Sequence, residues 1–187
     1  MATVKKLQFE LIGSDGAPLR GDVYTAGAGD RRPLVVVCHG FKGFKDWGFF
    51  PFLAQRLARA GMTAVSFNFS GSGVGEDGES FSEPQRFARN TYSRALRDLE
   101  IVRNAVQGGN LVNGLPAAQS CGLLGHSFGG AVSILFAAEN SDVRALVTWA
   151  AVANPLRWDE QTVAQWREEG TIDIVNARTG EILPLYL

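Results

Sequence analysis

Only two histidines and two cysteines occur among the 187 residues. Each shortage excludes something. Two cysteines cannot build the disulfide framework of a small secreted domain. Cys38 and Cys121 both fall in apolar, strand-like runs, where a buried inert thiol is the expectation. The acidic residues Glu76, Asp77 and Glu79 lack histidine partners and the spacing of a calcium loop, so no metal and no cofactor is expected. Charge of one sign is missing too. Eighteen Lys and Arg against 19 Asp and Glu leave a net −1, with a sequence pI of about 6.1. Basic residues are scattered, Lys5-Lys6 and Arg31-Arg32 being only pairs, which argues against a nucleic-acid partner. The apolar run over residues 145–153 is far short of the ~20 needed to cross a bilayer. The start, MATVKKLQFELIG, has no apolar core of the signal-peptide type. A soluble cytoplasmic protein with no membrane partner is therefore expected.

What the chain does have is 45% hydrophobic residues and 22 glycines, enough for one sizeable core with many tight turns. Residues 5–12, KKLQFELI, alternate as a half-buried strand does, and a turn at Ser14-Asp15-Gly16 leads to a second strand over 19–24. Residues 27–33 read as a loop. LVVVC, 34–38, is a continuous β-branched run, the pattern of a strand covered on both faces. A helix is expected from near Phe50 to Ala60, closed by Gly61, with Phe52, Leu53, Leu57 and Ala60 facing inward. A strand over 63–69 follows, then a long flexible loop over 70–80. Residues 83–106 carry a helical stripe at Tyr92, Ala95, Leu96, Leu99, Val102 and Val106, ended by Gly108-Gly109. Residues 142–149 open a further strand. After Asn154-Pro155 the pattern changes to a polar helix, 158–169, and a hairpin turning at Arg178-Thr179-Gly180. Strands alternating with helices imply βαβ units, a mostly parallel sheet with helices on both faces, and ligands at the carboxyl ends of the strands.

The organising stretch is 119–140, QSCGLLGHSFGGAVSILFAAEN. A short apolar run ends in Gly125-His126-Ser127-Phe128-Gly129, and an alanine-rich helix follows at once. This is G-x-S-x-G between a strand and a helix. A serine at such a bend sits in strained backbone, clear of its neighbours, with Gly125 and Gly129 removing the side chains that would collide where strand and helix cross. Its hydroxyl stands above a helix N-terminus whose amides favour developing negative charge.

These residues, with the strand-terminal His39-Gly40-Phe41 and the order of strands around them, resemble the α/β-hydrolase fold enzymes. The similarity is to serine esterases and acyl hydrolases of the dienelactone hydrolase and prolyl oligopeptidase type, and it spans the chain as an N-terminal portion. The resemblance implies a three-layer αβα sandwich with a mostly parallel sheet, C-terminally incomplete. It implies Ser127 as nucleophile and an oxyanion hole from the backbone N–H groups of Phe41 and Phe128. His39, Gly40, Gly125 and Gly129 support the motif. The partner implied is a small-molecule ester or other acyl substrate.

One departure matters as much as the match. In this fold the chain order is serine, then an acid, then histidine, yet His39 and His126 both precede Ser127 and no histidine follows it. His126 adjoins the serine and should diverge from its hydroxyl; His39 is read as a structural hydrogen-bonding group rather than a base. Asp159 and Asp173 have no histidine to orient. By strand count the sheet stops about two strands early, which leaves residues 144–149 as an uncovered apolar edge where self-association is expected. The chain is accordingly read as a hydrolase core over residues 1–153 and the start of a cap or lid over 154–187. A fragment of a longer hydrolase is favoured over a natural short form. The alternative from another class is a catalytically silent binding module; an acyltransferase would share the same site. Among the remaining residues, Phe41, Phe44, Trp47, Phe49 and Phe50 are expected to pack the loop and first helix onto the sheet. Lys42 and Lys45 are expected to be solvated, and Trp149, Trp158 and Trp166 to anchor or shape the cap.

Overall fold

The computed structural model describes residues 3–26, 32–155 and 158–187. Most of the expected loop at 27–33, with Arg31 of the Arg31-Arg32 pair, lies outside the described residues.

Strand β1 (Lys5–Ile12) pairs antiparallel with β2 (Pro18–Thr25), and β2 pairs antiparallel with β4 (Thr63–Phe67). The other pairings are parallel: β4 with β3 (Leu34–Cys38), β3 with β5 (Cys121–His126), and β5 with β6 (Val143–Trp149). The six-stranded sheet has the order β1-β2-β4-β3-β5-β6. Within its parallel half β3 is the continuous β-branched run and β4 is buried throughout, since strands covered on both faces need apolar residues at successive positions. Helices α3 (Tyr92–Gly108) and α4 (Phe128–Glu139) cover one face, with Leu99, Val102, Val132 and Phe136 packed among strand residues such as Val36, Val65 and Leu123. Helix α1 (Phe50–Arg59) covers the other, against Tyr24 and Ala64. This is the expected αβα arrangement.

Three local expectations are corrected. Helix α1 starts at Phe50 as anticipated, but its inward face is Phe50, Ala54 and Ala58, whereas Phe52 is 65% exposed and Ala60 is also exposed. The i, i+4 spacing puts residues 50, 54 and 58 on the face turned to β2 and β4, and Phe52, two positions beyond Phe50, lies off that face. The stretch 83–106 is two helices, α2 (Pro84–Phe87) and α3. Thr91 accepts a bond from the Arg94 N–H and so starts α3 afresh. The loop over 70–80 is flexible in expectation only, for residues 70–75 are buried and begin with a 3-10 turn at Ser70–Ser72. Asp98, fully buried on the apolar stripe of α3, is what holds it: its carboxylate accepts from the Ser70 N–H at 2.7 Å and from the Ser14 N–H at 2.8 Å.

Beyond β6, Asp159 caps helix α5 (Glu160–Glu169), and β7 (Thr171–Val175) pairs antiparallel with β8 (Ile182–Tyr186) in a separate two-stranded sheet. Ile172, Ile174, Leu183 and Leu185 pack on Phe44, Val74, Phe81 and Phe87, and Trp158 and Trp166 lie against the same cluster. The hairpin thus sits over the loops at the carboxyl ends of β3 and β4. At the far side of the sheet β6 is an edge strand with Leu146 40%, Val147 56% and Trp149 58% exposed, as the sequence leads one to expect. Among the described residues no helix is long and apolar enough to cross a membrane.

Candidate active site

Strand β5 delivers Ser127 to the carboxyl end of the sheet and α4 begins at the next residue. The backbone between them is forced: Ser127 has φ 53° and ψ −116°, a conformation that costs an L residue about 1–3 kcal/mol. Neighbouring bonds hold it there. The Ser127 N–H donates to Trp149 O at 2.9 Å, and Ser127 O accepts from the N–H groups of Ala131 and Val152 at 3.1 and 3.2 Å. The flanking glycines are there for space. A Cβ on Gly125 would stand 2.3 Å from Gly129 O, and one on Gly129 would stand 2.4 Å from both Cys38 O and His39 O. The second figure shows the start of α4 pressed onto the end of β3, so the loop leaving β3 must pass the serine. It does: a Cβ on Gly40 would lie 3.2 Å from Ser127 Cβ.

Phe41 follows Gly40, and its ring stands 6.4 Å from that of Phe128. Phe128 opens α4, so its N–H has no acceptor within the helix. Both rings are seated, Phe41 against Phe87 at 5.2 Å and Phe128 against Tyr92 at 4.7 Å. The structure thus brings Ser127, Phe41, Phe128, Gly40, Gly125 and Gly129 together at one junction.

His39 is buried beneath it. Its Nδ1–H donates to Gly40 O at 2.9 Å, and its Nε2 accepts from the Phe69 N–H at 3.1 Å. Both ring nitrogens are used, which fixes the neutral ring; burial pushes its pKa down to about 4, with the Gly40 bond a lesser upward pull. His126 sits among rings, 5.5 Å from Phe49, 6.0 Å from Phe50 and 6.4 Å from Trp149, and burial lowers its pKa as well. Among the described residues neither histidine hydrogen-bonds Ser127. Asp159 is spent on Thr162, whose N–H it accepts at 2.7 Å, and Asp173 is exposed on β7. Among the described residues no group of three or more metal-ligating side chains is assembled.

A cleft of about 220 Å³ opens on the serine, with Gly40, Phe41, His126 and Ser127 on the core side and Asn176 and Arg178 from the hairpin opposite. A larger cavity of about 480 Å³ lies toward β1 and β2, walled by charged side chains such as Asp22 and Lys45, and does not reach Ser127. The aromatic group splits in two: Phe44 packs on Phe81 at 6.3 Å, while Phe49 packs on Phe50 at 4.4 Å and Trp149 at 4.7 Å. The expectation that Lys45 is solvated is wrong. Its side chain is 8% exposed and its ammonium meets the fully buried Asp22 at 2.5 Å, with Asp46 as a second partner. The Lys45 N–H also donates to Asn68 Oδ1 at 2.7 Å, so this residue pins the loop after β3 to the sheet. Lys42 is half-buried and donates to Val175 O at 2.8 Å. Sequence reasoning saw Arg178 only as a turn residue and passed over Asn176; no local signal marks a contact made 136 residues away, such as that of Arg178 with Lys42 O at 2.7 Å.

The family described as serine aminopeptidase, S33 matches residues 29–171. No curated protein sequence matches the chain. Among solved structures, the chain is similar to the α/β hydrolase GrgF from Penicillium sp. sh18 (TM-score 0.68, 23% identity, 96% of this chain and 61% of that one). It is similar to dienelactone hydrolase from Anabaena variabilis (0.62, 16% identity, 79% and 64%). It is also similar to brefeldin A esterase, a bacterial homologue of human hormone-sensitive lipase (0.61, 16% identity, 87% and 44%). At such identities the likeness establishes the fold, and the chain spans only 61% of the first of these structures. With its mostly parallel sheet and G-x-S-x-G bend, and with the family matching most of its length, this chain belongs to the S33 family of α/β-hydrolase-fold proteins.

Proposed function

We propose that the chain carries the nucleophile and oxyanion half of a serine hydrolase acting on carboxylic esters. The observation that carries this reading is the forced left-handed backbone of Ser127 beside Gly40, since strain of this kind persists only where surrounding structure imposes it. Ser127 Oγ attacks the carbonyl carbon, and the electron pair of the C=O bond moves to its oxygen. The N–H groups of Phe41 and Phe128 receive that oxyanion; fixed donors of this type lower a barrier by roughly 3–4 kcal/mol each. The tetrahedral intermediate collapses, the alcohol leaves with a proton, and water then releases the acid from the serine. Esters suit the cleft better than peptides with a free amino terminus, because its lining includes Lys42 and Arg178 and no carboxylate to receive an ammonium group.

The proton of Ser127 needs a base; His39 is committed to Gly40 and Phe69, and His126, seated among rings, has no hydrogen bond to Ser127. We assign the base to polypeptide that completes the sheet along the open side of β6. Residues 154–187 are the start of the cap over this site. The second reading, a silent binding module, is favoured by that same lack of a base within the chain.

Labelling with a fluorophosphonate, read by intact mass and peptide mapping, decides between them. The expected result is an adduct on Ser127 that is absent from Ser127→Ala. An adduct absent both from the chain alone and from the chain joined to the polypeptide that completes the sheet would establish the binding module instead.

A further inference from the structure

We infer that the compound taken by the Ser127 cleft carries a carboxylate of its own, beside the ester, and that Asn176 and Arg178 hold it. This rests on the reading of Ser127 as nucleophile for its reaction, though the binding site stands on separate observations. Asn176 is 1% exposed and lines the cleft. Its position is locked by its own turn: its N–H donates to Glu181 O at 2.8 Å, its carbonyl accepts from the Gly180 N–H at 2.8 Å, and its Oδ1 accepts from the Arg178 N–H at 3.2 Å. The amide nitrogen Nδ2 is left buried with no partner among the described residues. A buried donor of this kind calls for an acceptor.

Arg178 sets the charge of that acceptor. One of its nitrogens donates to Lys42 O at 2.7 Å, and the guanidinium lies over Trp47 at 4.8 Å and over Phe44 and Phe81 at 5.6 Å each. The plane is therefore held by rings and one bond, while the fork has further N–H groups to offer. Lys42 adds a second cation to the lining, and the lining has no acidic side chain. A planar guanidinium beside an amide donor matches the two oxygens of a carboxylate. The hairpin that bears both residues is seated on the core by Lys42, by the Tyr186 N–H bond to Ala88 O at 2.7 Å, and by its apolar cluster. A cleft of about 220 Å³ suits a half-ester of a small dicarboxylic acid.

The test is a binding titration of the whole chain followed by NMR of the Asn176 side-chain amide and the Trp47 indole. Monomethyl succinate, dimethyl succinate and inorganic phosphate are the probes. The half-ester should saturate both signals and bind about tenfold tighter than the neutral diester, as expected for a charged hydrogen bond that is partly screened. Arg178→Met should remove that preference and Arg178→Lys should keep part of it, with circular dichroism unchanged in both. Asn176→Asp should reverse it. Equal affinity for half-ester and diester, or a preference untouched by Arg178→Met, overturns the inference. Phosphate binding as tightly as the half-ester overturns the carboxylate assignment. Selective binding without fluorophosphonate labelling, even when the polypeptide that completes the sheet is present, keeps the anion site and removes the nucleophile, so the two readings fail separately.

Discussion

His39 makes the stability of this protein depend on pH in a window that can be stated in advance. In the unfolded chain its imidazole takes a proton below about pH 6.5; in the folded chain burial lowers this to about 4. Between those values the unfolded state binds more protons, so stability falls as pH falls. The contribution is complete above pH 6.5 and the loss levels off below about pH 4. A gap of about 2.5 pH units at about 1.4 kcal/mol each makes the total about 3 kcal/mol, a large share of the 5–15 kcal/mol typical of a domain. The physical origin is specific: a protonated ring would place a second N–H against the Phe69 N–H that now donates to Nε2. His39→Gln keeps an acceptor there and removes the titration. Urea unfolding at intervals between pH 7 and 4 should give a wild-type curve that steepens toward acid relative to the variant, the difference growing to about 3 kcal/mol. His126 and the carboxylates are common to both proteins and cancel. Parallel curves, or a His39 imidazole titrating near 6.5 by NMR, would refute the reasoning.

Ser127→Gly should stabilise the fold by about 1 kcal/mol in urea unfolding, since glycine relieves the φ 53° conformation at a smaller entropic cost, while abolishing fluorophosphonate labelling. A destabilised Ser127→Gly would mean that the bend is not strained. Lys45→Met leaves the fully buried Asp22 with only the half-exposed Lys6 at 3.1 Å, and should cost about 3 kcal/mol by thermal or urea unfolding. Replacing both members, Asp22→Leu with Lys45→Met, should recover most of it; a loss equal to the sum of the single changes would show that no pair existed.

Much of the fold was legible because it is written in local periodicity. The stripe of α3, the apolar runs of β3 and β5, and the glycine spacing about Ser127 each involve neighbours within a turn or two, and the structure has them where the pattern puts them. What local pattern cannot show is how close two elements come. Phe52 looked like core because it is large, yet it lies off the face that α1 turns to the sheet, which buries Phe50, Ala54 and Ala58. Asp98 is the reverse case, a charge on an apolar stripe that is buried because two backbone N–H groups from distant loops meet it. Lys45 finds Asp22 across 23 residues, and Arg178 reaches the Lys42 carbonyl across 136, so neither partner could be named from spacing. The bend at Ser127 was readable; the wall facing it was not.

The serine and the far border of the sheet share main-chain atoms. Ser127 hangs from the last residue of β6 through the Trp149 carbonyl, and its own carbonyl receives Val152 just beyond. Whatever zips onto that border therefore grips the same ribbon that aims the hydroxyl. A neighbour on that border would do two things at once: shelter Leu146 and Val147 from water, and stiffen the mount on which the Ser127 oxygen sits.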